Sequence, residues 1–177
     1  VRSIELLRAD AESAFAGLRE TLADVSEGHA WARLPEGGRD FLHTDASIQG
    51  IVLHVAAGKR MYGGVGFGGT TARWRDVAAQ MDAFEPDWNA ALLYLDASHR
   101  AWMDAWAGLR DEELDGPRPR PQGDAWPAWR ILQTVSHHDS YHAGQIAVLR
   151  YAVGESGVPP PRYGDDIRQY CAELPHW

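Results

Sequence analysis

Residues 137–146 read HHDSYHAGQI, which places three of the eight histidines of the chain within six positions. His138 and His142 are four residues apart. On a helix that spacing stacks two side chains one turn apart on one face, where two imidazoles can share one cation. Ile131, Val135, His138, His142, Gln145 and Leu149 step by four and three residues, so both histidines belong to the stripe expected to face a core. A lone inward histidine is commonly a core residue satisfied by a carbonyl. Two side by side leave several polar atoms to satisfy in a dry interior, at ~1–3 kcal/mol for each one left unmade. A bound metal ion answers both, since neutral imidazole is a common metal ligand.

His54 and His99 lie on or beside inward positions of two other predicted helices, so either extends the set. Cys171 is the only cysteine, which leaves nitrogen and oxygen as the ligand atoms. His137 falls about 100° around the helix from His138. His29, His43 and His176 sit in predicted loops or at the terminus, and all four read as solvated. HDSYH also approaches the zinc-protease pattern HExxH, but Asp139 is one methylene shorter than the glutamate that serves there as base. That departure, and the lack of a well-placed third ligand downstream, argue against a protease.

Helices must hold these residues in place. Ile4, Leu7, Ala11, Ala14, Leu18 and Val25, widened by Phe15 and Leu22, predict one long amphipathic helix over residues 3 to 27, ended by Gly28. Asp45 offers an N-cap for a second helix with Ile48, Ile51 and Val55 inward and His54 beside them. The glycine run GGVGFGG, residues 63 to 69, lacks the order of a phosphate loop and reads as a linker. A third helix is predicted from about Asp87 to Leu109 along Leu92, Leu95, His99, Trp102, Trp106 and Leu109. GPRPRPQG, residues 116 to 123, cannot be helical and reads as an exposed connection. Pro127 suits the first turn of a fourth helix running to about Val153. A short last helix is expected over 165 to 173. No segment alternates with the period of a strand, so the expected fold is an all-α, antiparallel four-helix bundle with a short additional C-terminal helix, and the loop between the second and third helices is long enough for a crossover.

Length and composition frame the function. One domain spanning residues 1–177 is expected from the length of 177 residues. Apolar residues at 45% and charged residues at 24% mark a chain that folds. A net charge of −8 without a basic cluster argues against nucleic acid. No apolar run suits a membrane span, the opening VRSIELLRAD lacks the features of a secretion signal, and the single cysteine forms no internal disulfide, so a cytoplasmic protein is expected.

HHDSYHAGQIAVLR, with IQGIVLHVAAGKRMYGG upstream and LDASHRAWMDAWAGLRDEEL on the third helix, resembles the DinB-like superfamily of four-helix metalloproteins over residues 3 to 153. The most specific part is histidine, three residues, histidine, one residue, Gly-Gln. The resemblance implies a divalent ion, zinc or nickel, held by His54, His138 and His142, and leaves His99 as a pocket-lining candidate; by helix position Gln145, on the inward stripe, and Tyr141, flanking it, are further neighbours of the site. It implies a transferase or isomerase that uses a low-molecular-weight thiol on a small-molecule substrate, and a homodimer. A metal-dependent hydrolase, or a non-enzymatic stress-associated bundle that binds a metal or small ligand, are the alternatives. Glycine at 144 would let another helix approach closely, Asp139 reads as a surface residue and Tyr141 as a packed one. Trp126 and Trp129 would cover one end of the bundle.

Overall fold

A computed structural model describes residues 2–32, 47–70, 74–75 and 87–152. It contains α1 (Ser3–Thr21), a short α2 (Glu27–Trp31), α3 (Ile48–Gly66), α4 (Trp88–Ala105), a 3-10 turn (Asp111–Glu113), a hairpin of β1 (Pro117–Pro119) and β2 (Ala125–Pro127), and α5 (Ala128–Ala152). The four long helices form the expected bundle. The expected C-terminal helix, Asp45, His43, His176 and Cys171 lie outside the described residues.

Cross-helix pairs set the directions. Lys59 meets Asp139 and His54 meets His138, while Gly66 faces Ile131, so α3 and α5 are antiparallel. Arg60 donates to Ser98 at 2.8 Å and Gly63 faces Trp102, so α3 and α4 run the same way. Arg150 reaches the carbonyl of Thr21 at 2.9 Å, and Ser140 and Ala143 stand by Asp10 and Gly17, making α1 and α5 parallel. Arg19 pairs with Asp96 and Arg8 with the carbonyl of Ala107, which makes α1 and α4 antiparallel. The order is therefore up, down, down, up. The parallel α3–α4 pair requires the crossover that the long connection permits, and the all-antiparallel expectation is corrected.

Local chemistry moves several boundaries. The first helix stops at Thr21 because Asp24 takes φ +60, a left-handed turn, and the chain restarts as α2 with Ser26 capping at its N-terminus. Gly28 and His29 therefore lie within a helix. Ser47 caps α3 through the N–H of Gly50 at 2.9 Å. The glycine run is largely the end of α3. The chain folds back there so tightly that a Cβ on Gly64 would stand 2.7 Å from Thr70 Oγ1, and Gly69 takes φ +68. Asp87 caps α4 as its side chain accepts from Ala90 N. That helix ends at Ala105, although Trp106 stays buried beyond it. Pro127 pairs with Pro117 in the hairpin rather than opening α5. A carboxylate from the 3-10 turn closes the bundle: Asp111 accepts from the N–H groups of Ser3 and Ile4 at the start of α1, 3.2 and 2.8 Å away.

The core is divided. One apolar cluster joins Leu18 and Leu22 to Ile51, Val55, Leu95, Ile146 and Leu149. The other joins Ile4 and Ala11 to Trp102, Trp106, Ile131, Leu132 and Val135. On α3, α4 and α5 buried polar residues, Lys59, Ser98, His99, Ser136, Asp139 and His142, fall between these groups, and there Lys59 and Asp139 pair at 2.5 Å with side chains 2% and 1% exposed. Burial pushes the Lys59 ammonium down and the Asp139 carboxyl up, each opposed by its partner. Breaking such a pair strands a charge, whereas replacing both members with apolar groups is tolerated. Asp139→Leu alone should therefore lower stability by about 3–5 kcal/mol, and Lys59→Met with Asp139→Leu should recover most of that loss, as measured by urea unfolding.

Candidate metal centre

His54 projects from the middle of α3 and His138 and His142 from the middle of α5, all within the polar layer. Nε2 of His138 lies 3.1 Å from Nε2 of His54 and 3.0 Å from Nε2 of His142. One nitrogen from each of the three rings falls within 4.8 Å of the others, a group able to hold a metal ion. His142 is buried and the other two are half-buried. The rings meet at centroid distances of 4.3 to 5.0 Å.

Hydrogen bonding alone suits this cluster poorly. An imidazole nitrogen carries either one proton or one in-plane lone pair. Nε2 of His138 therefore matches one of these two neighbours with good geometry, not both. A cation accepts a lone pair from each ring at once. Two nitrogens bound to one ion at ~2.0–2.1 Å stand about 3 Å apart when they subtend roughly a right angle, which is the spacing present here. Burial, with His142, His54 and Lys59 nearby, brings His138 down to about 3, so its ring is neutral at ordinary pH, as a metal ligand must be.

A cavity of about 200 Å³ opens on two of these rings. His54, Gly58 and Tyr62 line it from α3 at four-residue spacing, with His138 opposite. A Cβ on Gly58 would meet His138 Cε1 at 3.7 Å, so glycine keeps the cavity open beside the ring. Lys59 and Gln122 also border it.

The other expected neighbours take different places. His99 is not in the histidine cluster. Its ring stacks on Phe15 at 3.7 Å with the planes 3° apart. Gln145 is half-buried and its Oε1 is buried without a hydrogen-bond partner among the described residues. Tyr141 is 60% exposed rather than packed, although its ring lies 5.2 Å from that of His142. Gly144 is exposed, and a Cβ there would meet nothing within 4 Å, so no close helix approach explains it. Asp139, expected at the surface, is fully buried. The α5 stripe is broader than its heptad seam because this helix packs on both α1 and α3, burying Leu132, Ser136 and Ile146 as well. The missed partner is Lys59, five residues after His54. The sequence marks it only as one of two adjacent basic residues, Lys59 and Arg60, in a largely apolar helix.

Burial, with Lys59 and Arg100 nearby, holds the His99 ring at about 3, well below the 6.5 of free imidazole. The unfolded chain thus binds a proton between those values that the folded chain does not. Stability from this group is full above pH 6.5 and is lost as the pH falls toward 3. Denaturant unfolding across that range should show His99→Leu with a shallower acid limb than the parent protein, the slopes differing by up to ~1.4 kcal/mol per pH unit.

No curated protein and no solved structure matches the chain. The profile of the DinB superfamily does match, over residues 10–146, from within α1 to within α5, with His54, His138 and His142 inside it. The chain belongs to the DinB superfamily.

Proposed function

We propose that the protein binds a divalent metal ion, zinc or nickel, through His54, His138 and His142, and uses it as a transferase acting with a low-molecular-weight thiol. The observation that carries this reading is the meeting of three imidazole nitrogens beside a cavity. Three protein ligands leave at least one position on the ion for another molecule. Bound there, a divalent ion supplies Lewis acidity that lowers the pKa of a thiol and favours the thiolate. The polypeptide does the rest. Its three histidines offer ring nitrogens, the apolar clusters above and below exclude water, and the cavity admits a small molecule.

Hydrolysis is less well supported. Among the described residues lining the cavity there is no carboxylate to act as base, and Asp139 is held by Lys59. None of the described helices is long and apolar enough to cross a membrane.

Metal analysis, then a thiol-consumption assay with a panel of electrophiles, tests the proposal. The wild-type protein should bind one equivalent of metal and consume thiol. His142→Ala should lose the metal yet stay folded, with the midpoint of chelated wild type, a loss of about 3–4 kcal/mol when metal stands at ~100–1,000 times its Kd. A loaded protein inert to every thiol tried would make it a binding bundle. An unfolded His142→Ala variant would make the site structural.

The homodimer is proposed on the exposed stripe of α5. His137, Tyr141, Gly144, Val148 and Tyr151 follow one another at four- and three-residue steps, and Tyr141, Val148 and Tyr151 are 60%, 64% and 66% exposed. Sedimentation velocity should show a dimer for the parent and a monomer for Tyr141→Lys with Tyr151→Lys. A parent that sediments as a monomer ends this part of the reading.

A further inference from the structure

The hairpin that interrupts the helices has a place in the cavity wall. Gln122, in its turn, donates from Nε2 to the Tyr62 hydroxyl oxygen at 2.9 Å. The Arg120 guanidinium lies beside the same phenol. It is itself held at 2.7 Å by Asp124 and lies 3.4 Å over the ring of Trp126. Both neighbours of the phenol oxygen, an amide NH₂ and a guanidinium, are donors only. The Tyr62 proton has no acceptor in them and is directed elsewhere, and Tyr62 borders the cavity.

Two further polar groups of that wall are committed. Thr134 donates its hydroxyl proton to the carbonyl of Arg130 at 2.7 Å, so it faces the cavity as an acceptor. Lys59 is engaged by Asp139 at 2.5 Å. Tyr62 follows His54 by eight residues, a rise of about 12 Å along the helix, and helical side chains lean toward the N-terminus, here toward His54. The histidines and the phenol therefore stand at two ends of one small cavity.

We propose that Tyr62, oriented by Gln122, is a recognition residue that donates a hydrogen bond to an acceptor oxygen, carboxylate or carbonyl, on the far end of the molecule bound at the histidine centre. The inference rests on the metal and thiol reading above, and adds to it the chemical class of the ligand: a short bifunctional molecule with a soft metal-binding atom at one end and an oxygen acceptor at the other. Gln122 acts through Tyr62 and is a positioning residue.

The test uses the full chain loaded with Co(II), whose visible spectrum reports ligand binding directly. Three probes are titrated: ω-mercaptopentanoate, its primary amide, and pentanethiol, which lacks the oxygen. In the parent protein at least one oxygen-bearing probe should bind about tenfold or more tighter than pentanethiol, as a hydrogen bond to a charged or strongly polar acceptor allows. Whether the acid or the amide leads identifies the acceptor as carboxylate or carbonyl. Tyr62→Phe should bring that ratio below about threefold with pentanethiol affinity unchanged, and Gln122→Leu should lower it part of the way. Equal binding of all three probes to the parent would overturn the subsite while leaving the metal reading intact. So would a Tyr62→Phe variant that weakens every probe alike, since that is a structural effect. If no probe changes the spectrum of the parent, the thiol reading fails and the subsite falls with it.

Discussion

The bundle carries a layer of polar side chains through its centre, and everything else is arranged around the need to satisfy it. His54, Lys59, Ser98, His99, His138, Asp139 and His142 all lie between two apolar clusters that are otherwise close-packed. Each group there costs free energy unless it is matched. The matches are of three kinds. Lys59 and Asp139 neutralise each other, Ser98 accepts from Arg60, and His99 stacks on Phe15, over whose ring Lys59 also sits at 5.3 Å. The three converging histidines are the part that protein groups alone match least well, because ring nitrogens with one role apiece have been brought nose to nose. A bound cation is the partner that this arrangement fits best.

Direction of the chain matters to that layer. An up, down, down, up order sets α3 between α4 and α5, so one helix contributes to both sides of the polar layer: His54 toward the histidines of α5, Arg60 toward Ser98 of α4. Lys59, one residue from Arg60 and five from His54, then falls between the two sides. Its partner Asp139 directly follows His138. The ion pair and the histidine cluster are thus fixed to the same two helices within about one turn, and a slide of α3 along α5 that misaligned one would misalign the other. The hairpin contributes from outside, closing over the end of the cavity with Gln122.

Much of this was legible in the sequence, for a definite reason. Helical period and four-residue spacing of His138 and His142 report a face directly, and a face that also carries Ile131, Val135 and Leu149 points inward. The family motif then selects His54 over His99 on residue type and order. What periodicity misses is anything decided by a second element. Asp139 looked like a surface acid because its burial depends on a lysine eighty residues away in sequence. The hairpin escaped because two three-residue strands with three prolines between them carry no alternating signal and are fixed by pairing Pro117 with Pro127. Helix directions likewise depend on which faces meet, which the stripes do not encode. The left-handed Asp24 broke the first helix where the apolar pattern continues without interruption through Val25.

The divided core has a mechanical consequence. Leu18 and Ile51 near one end belong to a different packed unit from Ile4 and Trp102 near the other, and the units communicate chiefly through helix backbones and the polar layer. Two units joined by a narrow waist can breathe separately, each opening without the whole chain unfolding. An ion held by His54, His138 and His142 would tighten that waist, and its occupancy would be felt as cooperativity along the bundle. A small molecule leaving the site would then register as slack between its two ends, in backbone amides that it never touches.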